Sequence, residues 1–136
     1  AYDDINDFER AIADDGYAVV KFFLHISKRE QARRLKALDK DPLLRWRVSP
    51  EDWSQNRKYG KYLEAAEEML DRTETEWAPW TIVEATDKRW TRIKVCETMI
   101  ARLERTLEEH GKPLPPAPPP PEPPPKAAKT PRKKAR

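Results

Sequence analysis

The chain has 136 residues, 38% of them charged, with a formal net charge of +3. That length holds about one domain with a modest core. The single cysteine, Cys96, excludes an intrachain disulfide. No apolar run approaches the length of a membrane-spanning helix.

The positive charge is not shared evenly. From Gly111 onward seven basic residues stand against Glu122 alone, a net +6, so the body before Gly111 carries −3. The basic character belongs to the tail and says little about what the body binds. No signal-peptide pattern is present, which predicts a cytoplasmic protein. The chain starts without Met, inside what reads as a helix, and this suggests truncation.

Residues 3–15 read as a helix, because Ile5, Phe8 and Ile12 recur at spacings of three and four. Gly16 follows, where a left-handed cap is common. Residues 17–24 form a nearly unbroken apolar run, too short for a core helix. They predict a strand buried on both faces, hence a parallel sheet flanked by helices. Ser27-x-x-Glu30 is a capping box that opens a helix running to about residue 39, and Pro42 stops it. Ser49-Pro50-Glu51-Asp52 supplies an N-cap, a first-turn proline and acidic residues at the positive end of a helix that runs to about residue 72. Gly60 weakens it by about 1 kcal/mol relative to alanine.

Residues 81–85 read as a second short strand, and residues 87–110 as a last helix. Trp90, Ile93, Ile100, Leu103 and Leu107 form its apolar stripe, and Cys96 sits among apolar neighbours as a buried core thiol. The body is thus an α/β fold, α-β-α-α-β-α. Two strands rarely make a stable sheet alone, so further strands are expected upstream. Residues 113–125 are nearly all proline and predict polyproline II; residues 126–136 are basic and predict a disordered tail.

The stretch from Lys28 to Arg47 holds eight basic residues: Lys28, Arg29, Arg33, Arg34, Lys36, Lys40, Arg45 and Arg47. Guanidinium groups fork onto phosphate oxygens and stay charged, so such a helix suits a flap that closes over a polyanion. The plain alternative is a solvated helix face. Trp46 between Arg45 and Arg47 is placed to stack on them. The loop after the second strand lies where open α/β sheets bind ligands, although Asp87 there also reads as a helix cap. His25 reads as a hydrogen-bonded packing residue and His110 as support for a helix C-terminus. Neither has a second ligand at metal spacing. No Gly-rich phosphate loop is present; the chain has three glycines.

Several motifs occur in one order: Asn6-Asp7-Phe8-Glu9, Val20-Lys21-Phe22-Phe23-Leu24-His25-Ile26-Ser27, Glu30-Gln31 with Arg33-Arg34, Arg45-Trp46, Ser49-Pro50-Glu51-Asp52-Trp53, Met69-Leu70-Asp71-Arg72-Thr73, Ala78-Pro79-Trp80 and Asp87-Lys88. This order and spacing resembles the polyphosphate kinase 2 family, its polyphosphate:AMP branch most of all. The resemblance implies the C-terminal part of a P-loop, thymidylate-kinase-like domain over residues 1–110. Residues 27–72 would be a helical lid and residues 111–136 an appended tail.

It further implies phosphoryl transfer between inorganic polyphosphate and AMP or ADP with Mg2+, the metal being held by upstream residues. Arg33, Arg34, Lys36, Arg45 and Arg47 would contact polyphosphate, and Asp87 and Lys88 would stand in the loop on the nucleotide side. No catalytic residue and no metal site is expected within this chain. A homo-oligomer is expected for the whole enzyme, and no membrane partner. Leu44, Tyr59-Gly60 and Leu35 depart from the family's usual Lys, Trp-Asp and Phe. The alternative is a non-catalytic α/β module that binds polyphosphate, or weakly nucleic acid, through the basic helix and the tail.

Overall fold

The computed structural model describes residues 1–116 and 119. Residues 113–116 and 119 carry no regular secondary structure. The rest of the expected polyproline segment and the expected disordered tail lie outside the described residues.

The elements run α1 (Tyr2–Asp14), β1 (Lys21–His25), α2 (Lys28–Lys40), a single 3-10 turn (Arg45–Arg47), α3 (Pro50–Arg57), α4 (Tyr59–Thr73), β2 (Trp80–Glu84) and α5 (Lys88–Glu109). The two strands pair in parallel, from Lys21 opposite Trp80 to His25 opposite Glu84. The α/β class and the parallel sheet are as the sequence predicts. No described helix is long and apolar enough to cross a membrane.

Side chains alternate across a strand, so Lys21, Phe23 and His25 share one face of β1. Lys21 Nζ donates to Glu9 of α1 at 2.7 Å and to the Thr73 carbonyl at the end of α4 at 2.6 Å. Phe23 and His25 line a groove of about 290 Å³ with Tyr59, Tyr62, Leu63 and Ala66 of α4. Helices α1 and α4 therefore cover this face. On the other face Leu24 adjoins Lys88, Thr91 and Arg92 of α5.

Local chemistry explains the helix ends. Gly16 has φ +90°, and a Cβ there would come within 3.1 Å of the His110 ring, so glycine satisfies both the turn and the contact. Ser49 and Asp52 close a full capping box, Asp52 Oδ2 accepting from Ser49 N at 2.8 Å and Ser49 Oγ from Asp52 N at 3.3 Å. At Ser27 only half the expected box forms. Ser27 Oγ accepts from Glu30 N at 3.2 Å, but the Glu30 carboxylate is taken by two arginines instead.

Three expectations are corrected. The helix from Ser49 to residue 72 is two helices, broken at Lys58 (φ −92°, ψ 13°). The break falls beside Gly60, a weak helix former, and lets Tyr59 turn toward β1. The strand is five residues rather than eight and is not buried on both faces; Leu24 is 55% exposed. Cys96 is exposed, as are Trp90, Ile93, Ile100 and Leu103 of the α5 stripe. Periodicity told which side chains share a face, but nothing among the described residues covers that face.

Candidate functional site

The site is built where β1 and β2 end and α2 and α5 begin. β1 leads through Ile26 into Ser27, the N-cap of α2. Tyr59 Oη donates its one proton to the Ile26 carbonyl at 2.7 Å. The 2.7 Å contact between His25 Nε2 and Tyr59 Oη is therefore donated by the histidine. This agrees with His25 as a packing residue. Asn56 of α3, buried, donates to the Lys28 carbonyl at 3.0 Å and to Gln31 Oε1 at 2.8 Å. These bonds strap α2, α3 and α4 into one unit on the end of β1.

Glu30 is the hub of the unit. Arg33 forks onto its carboxylate with two bonds of 2.7 Å, and Arg34 Nε adds a third at 2.8 Å. These hydrogen bonds, from Arg33 first and Arg34 next, hold the Glu30 carboxyl at about 2. Arg34 Nη2 also donates to the carbonyls of Ala85 and Thr86, at 2.6 and 3.0 Å. One side chain thus joins the base of α2 to the loop after β2.

In that loop Asp87 Oδ1 accepts from Arg89 N at 2.7 Å and Trp90 N at 2.9 Å, so it caps α5. Lys88 lies with Arg34, Ala85 and Arg92 around a hollow of about 200 Å³. Glu84 is held at about 2, chiefly by the 2.9 Å bond from Lys94.

The five basic residues expected at a polyanion fall into two groups. Arg33 and Arg34 are committed to Glu30. Lys36, Arg45 and Arg47 are exposed, with no ion-pair partner among the described residues. Arg29, Arg33, Lys36 and Lys40 follow one another at spacings of four, three and four, which sets them along one face of α2. Trp46 is 80% exposed, and the expected stack on its flanking arginines is not formed; the cation–aromatic contacts are Arg10 with Trp77, Lys21 with Trp80 and Arg72 with Tyr2.

Glu30 and the carbonyls of Ala85 and Thr86 were missed as organising groups. The spacing Glu30-x-x-Arg33-Arg34 carried the signal, since residues three and four apart on a helix are neighbours. Among the described residues, no three His, Cys, Asp or Glu side chains come together in a way that could hold a metal ion.

Comparison with known proteins bears on the same residues. The sequence model for Polyphosphate kinase 2 matches residues 1–111. The polyphosphate:AMP phosphotransferase of Pseudomonas aeruginosa is 46% identical over 104 residues, covering 76% of this chain and 21% of that protein. The protein of the same name from Pseudomonas syringae is 42% identical over 112 residues, covering 82% of this chain and 22% of that protein. The crystal structure of polyphosphate kinase 2 from Arthrobacter aurescens superposes with a TM-score of 0.72 at 35% identity, covering 85% of this chain and 40% of that one. The chain thus spans about a fifth of the length of the two curated relatives, 22% and 21%.

Proposed function

The chain belongs to the polyphosphate kinase 2 family, and on that premise we propose that it is part of a phosphotransferase acting between inorganic polyphosphate and a nucleoside mono- or diphosphate. AMP is favoured as the acceptor, because the Pseudomonas relatives are named for it. In the reaction the terminal P–O bond of polyphosphate breaks and a new one forms to a phosphate oxygen of the acceptor.

The observation that carries this reading is the state of Lys36, Arg45 and Arg47. They are exposed and unpaired among the described residues, inside the stretch matched to the family. Residues 27–72 are the lid in this proposal, and residues 1–110 the C-terminal part of the domain. Arg33 keeps the N–H groups that Glu30 does not use and joins the three free cations on polyphosphate. Arg34 sets the angle of the lid. Asp87 and Lys88 stand at the nucleotide side, Asp87 by capping α5. Phosphoryl transfer depends mainly on positioning and charge neutralisation, which cations on a closing lid supply while they exclude water.

The family implies Mg2+, but among the described residues the donors do not converge on a metal. The proposal assigns that ion, and the phosphate loop, to the part of the relatives' length that this chain does not span. A cytoplasmic setting and a homo-oligomeric whole enzyme belong to the same proposal. Two assays test it: polyphosphate binding by this chain, and phosphoryl transfer to AMP and ADP with Mg2+. We expect weak, salt-sensitive binding and no transfer from the chain alone. Transfer by the 136-residue chain itself would overturn this division of labour.

A further inference from the structure

Helix α1 carries an aromatic groove on the side it turns away from the sheet. Asn6 donates to the Arg72 carbonyl at 3.0 Å and Glu9 accepts from Lys21 at 2.7 Å, so these residues mark the inner side. Phe8, Ala11, Ile12 and Asp15, spaced three or four apart, share another. With Tyr17 they line a groove of about 550 Å³. Gly16, at φ +90°, turns the chain there, and Tyr17 N donates to the Ile12 carbonyl at 3.2 Å, which sets Tyr17 at the groove's end. Phe8 is 66% exposed and Tyr17 65%, so two aromatic rings stand uncovered among the described residues.

The chain's own continuation leaves α5 beside this groove. Gly111, at φ +62°, ends the helix, and Lys112 N donates back to the Leu107 carbonyl at 2.8 Å. Lys112 then adjoins Asp15 and Gly16, and Asp15 also lines the groove. Ten of the thirteen residues 113–125 are proline. In polyproline II, at about 3.1 Å per residue, they reach roughly 40 Å. The 13 residues of α1 span about 20 Å. The proline segment is therefore long enough to run along the whole helix.

The chemistry of the two parts matches. Polyproline II segments dock in grooves walled by aromatic rings, because they are already extended and lose little entropy on binding. Charge agrees. α1 holds Asp3, Asp4, Asp7, Glu9 and Asp14 against Arg10 alone. Asp3 and Asp7, like Asp15, have no ion-pair partner among the described residues. Residues 126–136 bring six basic side chains and no acidic one. The attachment at Lys112 makes the encounter intramolecular, with an effective concentration of order mM.

We propose that the proline segment, residues 113–125, docks on the Phe8–Tyr17 groove, and that the basic residues 126–136 then face the acidic side of α1. Tyr17 precedes β1 and α2 follows it, so the docked tail stands at the opposite end of the strand from Lys36, Arg45 and Arg47 and leaves them to another polyanion. The inference does not depend on the phosphotransferase reading.

Nuclear Overhauser spectroscopy on the full 136-residue chain tests it. Ring protons of Phe8 and Tyr17 should show contacts to proline protons of residues 113–125. In a mixture of isotope-labelled and unlabelled chains these contacts should arise within one chain. High salt should leave them in place, since charge only adds to the apolar contact. The double variant Phe8→Ser with Tyr17→Ser alters two exposed positions and should shift the proline signals to those of an isolated peptide of residues 112–136. The ring contacts need no variant, so a folding failure of the double variant would not mask the answer. Absence of any proline contact to either ring would overturn the proposal and leave the groove to a different occupant. Contacts only between chains would assign it to a second copy instead. Loss of the contacts in high salt would reduce the association to charge alone and also overturn docking in the groove.

Discussion

Arg34 donates to the main-chain oxygen of Ala85 at 2.6 Å, across 51 residues of sequence. With its Nε on Glu30, it fastens the first turns of α2 to the end of β2. That guanidinium group therefore helps set the attitude of the basic helix over the strand ends, beside the bonds from Asn56 and Tyr59.

Arg34→Ala should destabilise the chain by about 1.5–3 kcal/mol, since hydrogen bonds to a charged group are lost and two carbonyls lose their donor. Arg34→Lys should recover little, because an ammonium cannot fork onto a carboxylate and reach both carbonyls. Arg33→Ala should cost less than about 1 kcal/mol, because the Arg33 side chain is 69% exposed. Urea unfolding of the three variants tests the order.

Acid should act through Glu30 and Glu84, each held at about 2 against an ordinary 4.5. Depressed carboxyls contribute their stability in full above the unfolded value and lose it as pH falls through the folded one. The melting temperature should therefore fall progressively between pH 4.5 and about 2. The double variant Glu30→Gln with Glu84→Gln should be less stable at neutral pH and show a flatter profile over that window. A profile as steep as the parent's would remove these two residues from the account.

Lys21 and Glu9 form an ion pair with side chains only 8% and 14% exposed. Lys21→Met strands the Glu9 carboxylate and the Thr73 carbonyl, and should cost about 3 kcal/mol or more. Adding Glu9→Leu removes the stranded charge and should return part of that loss. A double variant as unstable as the two losses added together would show that the pair is not coupled.

Lys36, Arg45 and Arg47 should carry polyphosphate binding. Replacing all three with alanine should weaken it roughly tenfold, as expected of a few exposed charge contacts of about 0.5 kcal/mol each. Deleting residues 111–136 should leave most of the binding in place. If the deletion abolishes it and the triple variant does not, the basic tail is the polyanion site instead. Raising the salt should weaken binding in the intact chain more than in the triple variant.

Much of the architecture was legible because it is written locally. Ser27, Ser49 and Asp87 each mark a helix start through bonds that reach no more than three residues along the chain. Gly16 marks a turn that only glycine adopts easily. The break at Lys58 was not legible, because it accompanies a bond from Tyr59 to Ile26, 33 residues away in sequence. The burial of Cys96 was misread for a related reason. A helical stripe shows a common face, and only the surroundings say whether that face is covered.

The sequence by itself determined the family, the order of the elements apart from the break between α3 and α4, and the stretch of cations, since caps, periodicity and motif order are properties of neighbouring residues. Only the tertiary structure divided those cations, setting Arg33 and Arg34 on Glu30 and leaving Lys36, Arg45 and Arg47 free. It alone paired β1 with β2 in parallel and set Arg34 on the carbonyls of Ala85 and Thr86. The partners of a charge or a backbone group are chosen by what the fold brings within about 3 Å, and a linear chain does not state those distances.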